Sequence, residues 1–171
     1  MIELLVVISI ISVLASLSLP AVTGALVKGQ IVQTVSNYRQ LCLLTQSASF
    51  DSQTSGGPGA YPADVGNSFS NWSNALVSNY CSSQTFKNML TVKGASTNTT
   101  VYQVGSANDP FTVFLACANL SSNAVSSAPP YGIKGGAFVT VGGQAVSVTG
   151  TNNLALTNGM IWVSATVAPG S

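Results

Sequence analysis

Few side chains in this sequence can transfer protons or act as nucleophiles. The chain contains no histidine, which is the commonest general base and metal ligand in proteins. Charged residues make up only 5% of its 171 residues, with 5 Lys and Arg against 4 Asp and Glu. A typical soluble domain has about 25% charged residues. We therefore predict that the protein is not an enzyme and carries no cofactor.

The four carboxylates are too scattered to predict a metal site. They are Glu3, Asp51, Asp64 and Asp109, whereas calcium-binding loops place several oxygen ligands in one short segment. Asp109 precedes a proline, which is typical of a turn before a strand. The net charge of +1 also excludes a basic surface for phosphate groups. The sequence thus predicts neither a metal site nor a specific nucleic-acid site.

Cysteines and asparagines are the candidates for covalent modification. Cys42, Cys81 and Cys117 lack the CxxC spacing of zinc, iron–sulfur and c-type haem sites. In an exported protein one disulfide is reasonable. We predict Cys81–Cys117, because Cys42 lies in a predicted helix; three buried thiols remain the alternative. Three triplets match the N-glycosylation pattern, and they begin at Asn71, Asn98 and Asn119.

The element that dominates the sequence is an apolar segment at its start, residues 1–27. No residue from Leu4 to Val27 is charged, and about 20 apolar residues in a helix span the ~30 Å hydrocarbon core of a bilayer. The apolar core of a signal peptide has about 7–15 residues after a basic flank. This run is longer and follows Glu3. We therefore expect the mature protein to retain it.

Three residues are unusual for a plain membrane anchor. Glu3 is an acid where the hydrophobicity begins, and a buried carboxylate is costly unless a cation meets it. Pro20 removes a hydrogen bond from the middle of the helix, and Gly24 loosens the same stretch. One interpretation is a single-pass helix with a tolerated kink. The other is a helix that leaves the bilayer and packs among copies of itself.

The helical pattern continues beyond the apolar segment. The residues that would line one face of an amphipathic helix recur every three or four positions. They are Ile31, Val35, Tyr38, Leu41, Cys42, Thr45 and Ser49. A helix from near residue 2 to Phe50 would be about 70 Å long. We therefore predict a helical stem over residues 1–50.

The first residues resemble a known family. The run MIELLVVISII at residues 1–11, with Pro20 further on, is similar to the mature N-terminus of type IV pilins and type II secretion pseudopilins. In that family a prepilin peptidase cuts after a glycine, and the new terminal residue, usually Phe, is methylated. The similarity aligns Glu3 with the family's assembly glutamate and Pro20 with its helix bend. No aromatic first residue, cleavage glycine or basic leader is present, so at least two mature residues are expected before Met1.

The rest of the chain is predicted to form the head of this molecule. Residues 51–98 are predicted to be a loop-rich connection with short helices at Phe69–Tyr80 and Ser83–Leu90. Residues 99–171 are predicted to form an antiparallel β-sheet, with a hairpin at Val141–Gln144. The five predicted strands are Thr99–Val104, Pro110–Ala118, Gly136–Val141, Ala145–Thr149 and Met160–Val167. The predicted fold is therefore α+β, with the long helix packed on the sheet in a pilin-like lollipop.

The resemblance implies a structural subunit of a type IV pilus-like filament for adhesion, motility or DNA uptake. Copies would wait in the bacterial inner membrane and then form an extracellular homo-oligomeric filament, with the prepilin peptidase and the pilus assembly machinery as partners. Glu3 would meet the N-terminal amine of a neighbour, and Pro20 and Gly24 would melt locally. One alternative is a pseudopilin of a periplasmic pseudopilus; the other is a monomeric membrane-anchored binding protein.

Overall fold

A computed structural model describes residues 2–77, 79–122, 124–150 and 159–168 of the chain. A long N-terminal helix is followed by two short helices and an antiparallel sheet, which confirms the predicted α+β class. The helices are α1 (Ile2–Thr54), α2 (Phe69–Val77) and α3 (Ser83–Leu90). The strands are β1 (Thr99–Tyr102), β2 (Val113–Cys117), β3 (Gly135–Thr140), β4 (Ala145–Thr149) and β5 (Thr166–Val167).

The chain divides into two compact units, Met1–Gln30 and Ile31–Ser171, which we call the first and second units. The described residues of the first unit all belong to α1, and the second unit contains the remainder of that helix with the other elements. The boundary falls within the predicted 1–50 stem, close to the end of its apolar segment.

Helix α1 ends four residues beyond the predicted Phe50. Its last turn includes Ser52 and Thr54, and the two following glycines close it. Gly56 has a φ of 78°, and the Gly57 N–H donates to the Ser52 carbonyl at 2.9 Å. A left-handed glycine with a backward hydrogen bond is a common helix C-terminus. The glycine pair therefore sets the end of the helix, not the polar residues before it.

One face of α1 packs on the sheet within the second unit. The Tyr38 hydroxyl lies 2.8 Å from Thr99 Oγ1 of β1, and the Cys42 thiol lies 3.4 Å from the Thr140 carbonyl of β3. The predicted stripe is largely confirmed, although Thr34 is buried and Val35 is only half-buried. The buried residues of the helix are Ile31, Thr34, Tyr38, Leu41, Cys42, Thr45, Ala48 and Ser49.

The sheet has five antiparallel strands in the order β4-β3-β2-β1-β5. The predicted hairpin at Val141–Gln144 connects β3 and β4 as expected. Strand β2 lies in the centre and all five of its residues are buried. The predicted last strand shortens to Thr166–Val167, because Ile161 makes only an isolated parallel bridge with Thr112.

Two short helices precede the sheet and carry part of the core. Helix α2 covers most of the predicted Phe69–Tyr80 helix, and α3 matches its prediction. The Ser82 side chain caps α3 by accepting the Thr85 N–H at 3.1 Å, as serine commonly does before a helix. Trp72 of α2 is fully buried. It makes edge contacts with Phe86 of α3 and Phe114 of β2.

Candidate functional site

The first unit presents an apolar surface on every side of its helix. From Ile2 to Val27, only Gly24 and Val27 are even half-buried. An 18-residue window of α1 has a mean hydropathy of 2.5, and none of that window is buried. By length and composition, this helix can therefore cross a membrane. The exposed large side chains of this unit are Ile2, Leu4, Leu5, Val6, Val7, Ile8, Ile10, Ile11, Val13, Leu14, Leu17, Leu19, Val22 and Leu26.

The hydroxyl groups of this segment do not make its surface polar. Each donates a hydrogen bond to a carbonyl three or four residues earlier in the same helix, as serine and threonine do in apolar helices. For example, Ser9 donates to the Val6 carbonyl at 2.7 Å and Thr23 to the Pro20 carbonyl at 3.0 Å. Ser12, Ser16 and Ser18 make the same kind of bond. The segment thus offers apolar contacts to lipid or protein without unsatisfied hydroxyls.

The predicted assembly residues all lie on this helix. Glu3 is exposed in its first turn, where a negative charge is favourable next to the helix dipole. Pro20 and Gly24 lie inside the helix, which continues through both positions. Their local melting during assembly stays a prediction, because it concerns the filament and not the isolated chain.

The predicted Cys81–Cys117 disulfide is not formed, since all three cysteines are free. Cys117 lies in the central strand, where its sulfur accepts the Ala137 N–H at 3.3 Å and lies 3.8 Å from the Tyr38 hydroxyl. Cys81 is half-buried instead in a groove beside Leu44 of α1. The prediction was wrong because the sequence places both residues in the head but does not show that one lies in the central strand and the other beside α1.

Burial makes the thiols of Cys42 and Cys117 less acidic than a free thiol. Loss of hydration raises the pKa of Cys42 and of Cys117 to about 11, because a buried thiolate is poorly solvated. The pKa of Cys81 is also raised by burial, but only Cys81 is partly exposed. Since the thiolate is the reactive form, Cys42 and Cys117 are structural residues of the core.

These environments predict how the thiols react. We expect a maleimide at neutral pH to label one thiol per folded chain, and three in denaturant, because only Cys81 is reachable without unfolding. The measurement is the mass of the intact labelled chain. Cys81→Ser should then show no label while folded. Absence of labelling in the folded wild type, with labelling appearing only after reduction, would instead establish a disulfide.

The three asparagines that match the glycosylation pattern differ in accessibility. Asn71 is exposed, and Asn98 is half-buried with its amide donating to the Val92 carbonyl at 2.8 Å. Asn119 is only 1% exposed, and its side-chain amide donates to the carbonyls of Gly132 and Gly135. Asn119 therefore cannot accept a sugar in the folded protein, which corrects that part of the prediction.

The aspartates of the second unit hold loops together. Asp64 accepts the N–H groups of Tyr61 and Ser106 at 3.3 and 2.9 Å. Asp51 accepts the Tyr80 hydroxyl at 2.5 Å, and Asp109 accepts the Phe111 N–H. Among the residues that the structure describes, no group of three or more His, Cys, Asp or Glu could hold a metal ion. The loop-joining role of Asp64 was not predicted, because its partner Ser106 is distant in sequence.

Comparisons of the chain with models of protein families, with curated proteins and with solved structures each find no match. The apolar surface of the first unit is therefore the feature on which a functional proposal depends.

Proposed function

We propose that this protein is a pilin, a structural subunit that polymerises through its N-terminal helix into an extracellular type IV pilus-like filament. The observation that carries the proposal is the exposed apolar surface of the first unit. Monomeric soluble proteins rarely expose apolar patches larger than a few hundred Å². Such a surface has to be shielded from water by other apolar groups. Lipid would shield it before assembly, and other copies of the chain would shield it afterwards.

The energetics of this transfer are favourable. Lipid tails are as apolar as leucine, so moving the helix from a bilayer into a core of identical helices loses no hydrophobic burial. Closer packing in the protein core adds dispersion contacts. Internally bonded hydroxyls suit both environments, since neither provides water to satisfy them. In the inner membrane the partners would be the prepilin peptidase and the assembly machinery.

Glu3 supports the filament over a simple anchor. A lone acid at the start of an apolar helix contributes nothing to anchoring, but in a filament it can select the neighbour that supplies a cation. A monomeric binding protein would not need it. The absence of any Asp or Glu after Asp109 favours the pilus over a calcium-dependent pseudopilus.

The test is electron microscopy of material sheared from cells that produce the chain, with mass spectrometry of its N-terminal peptide. We expect long thin filaments whose subunit is this chain and whose first residue is methylated. Recovery of the chain only in detergent extracts, unmethylated and unpolymerised, would contradict the proposal and favour the anchored binding protein. Short filaments confined to the periplasm would favour the pseudopilin.

A further inference from the structure

A groove of the second unit lies between α1 and α3. Its walls include Leu43 and Leu44 of α1, Met89 of α3 and the half-buried Cys81, and we call it the Cys81 groove. Its volume of about 500 Å³ lies within the range of about 300–1,000 Å³ for sites that take a small organic group. None of the described residues that line it is charged. The groove therefore suits an uncharged apolar group, because a charge placed there would lose hydration without gaining a partner.

The same unit presents an aromatic ring outside this groove. Phe50 of α1 is 70% exposed, and in its own chain it lines a different recess, beside Tyr61 and Gly142. Exposed aromatic side chains that enter a pocket of a partner are typical anchors of protein interfaces. Ring and groove are thus complementary in size and polarity, and every copy of the chain carries both.

We propose that Phe50 of one copy inserts into the Cys81 groove of a neighbouring copy in the filament. This inference rests on the proposed function, in which the first units hold identical chains side by side. The ring and the groove are different surfaces of one chain, so the contact is head-to-tail, and such contacts can join any number of copies when they do not close into a ring. Met89 favours an aromatic occupant, since a thioether sulfur packs well against a ring.

The small size of this contact determines where it forms. A phenylalanine buries about 150–250 Å², whereas a stable interface buries about 800 Å² on each partner. The ring alone therefore cannot hold two chains together. In a filament the first units keep neighbours close, which raises the effective concentration of each ring at the next groove. We therefore expect the groove to be open to solvent in dispersed chains and covered by Phe50 in filaments.

The thiol of Cys81 reports whether the groove is covered. In wild-type filaments we expect it to react with a maleimide about tenfold or more slowly than in detergent-dispersed chains, because a covered sulfur cannot be reached. Filaments of Phe50→Ala should lose this protection. Filaments of Phe111→Ala, which removes another exposed ring, should keep it. Equal labelling of wild-type filaments and dispersed chains, or full protection in Phe50→Ala filaments, overturns the contact.

Cross-linking within filaments supplies an independent measurement. Phe50→Cys adds a second reachable thiol, and a short bis-maleimide should join it to Cys81 of the next copy, which produces a ladder of products longer than a dimer. The double variant Phe50→Cys/Cys81→Ser and the control Phe111→Cys should give no such ladder. A ladder absent from Phe50→Cys, or equally long in Phe111→Cys, overturns the contact while wild-type filaments still support the pilin proposal. Failure of the wild-type chain to form filaments overturns both.

Discussion

Replacing Glu3 with Gln is expected to reduce filament yield by about tenfold or more while leaving the amount of protein in the membrane unchanged. Glutamine keeps the shape of the side chain but removes its charge, so the cation of the neighbouring copy is left buried without a partner. Insertion should not suffer, because an uncharged residue enters a bilayer more easily than an acid. The measurement is the amount of the chain in sheared filaments against that in membranes.

Asp109→Asn is the matched control for this variant. It makes the same carboxylate-to-amide change at an exposed position of the second unit, where the carboxylate accepts the Phe111 N–H within its own loop. We expect its filament yield to stay close to wild type. Normal filaments from Glu3→Gln would contradict the role of Glu3 in assembly. An equal loss in Asp109→Asn would show that the effect is not specific to the apolar segment.

Local sequence patterns predicted most of the elements. β-Branched runs bounded by Gly, Asn and Pro located β1 to β4, because residues of this kind prefer a pleated, half-buried backbone. The glycine pair Gly142-Gly143 located the hairpin, since Gly143 has a φ of 83° that other residues rarely adopt. The extent of β5 was overestimated, because pairing of an edge strand depends on its neighbour β1 rather than on its own residues.

The errors concern features that depend on tertiary structure. Asn119 matches the glycosylation pattern as well as Asn71 does, yet the turn before β3 folds over Asn119 and uses its amide. Three cysteines allow three different pairings, and only the sheet shows that Cys117 lies in its central strand. The cluster around Trp72 likewise joins α2, α3 and β2 across more than 40 residues of sequence, which no local pattern reveals.

Trp72→Ala is expected to destabilise the second unit by about 3–5 kcal/mol, the usual cost of removing a large buried aromatic side chain. Trp72 is 0% exposed. Its ring centroid lies 5.2 Å from that of Phe86 and 5.5 Å from that of Phe114, both in edge contacts. Since folded domains have total stabilities of about 5–15 kcal/mol, this single change removes a large share. Urea unfolding of the full chain in detergent, followed by near-ultraviolet circular dichroism, measures the loss.

Two variants define the origin of this effect. Phe111→Ala removes an aromatic ring that is 53% exposed, and we expect it to cost less than about 1 kcal/mol, because little apolar area returns to water. Trp72→Phe keeps a ring in the cluster and removes the indole N–H, which is buried and has no hydrogen-bond partner among the residues that the structure describes. It should therefore destabilise less than Trp72→Ala. Equal unfolding midpoints for Trp72→Ala and wild type would contradict the role of the cluster.

The two large effects should also be separable. Glu3→Gln changes a side chain of the first unit and should leave the urea midpoint of the second unit unchanged, although it lowers filament yield. Trp72→Ala should lower the urea midpoint of the second unit. It should reduce filament yield only under conditions where the second unit unfolds. If Glu3→Gln lowered the midpoint as much as Trp72→Ala does, its effect on filaments would follow from misfolding, and the assignment of Glu3 to assembly would be wrong.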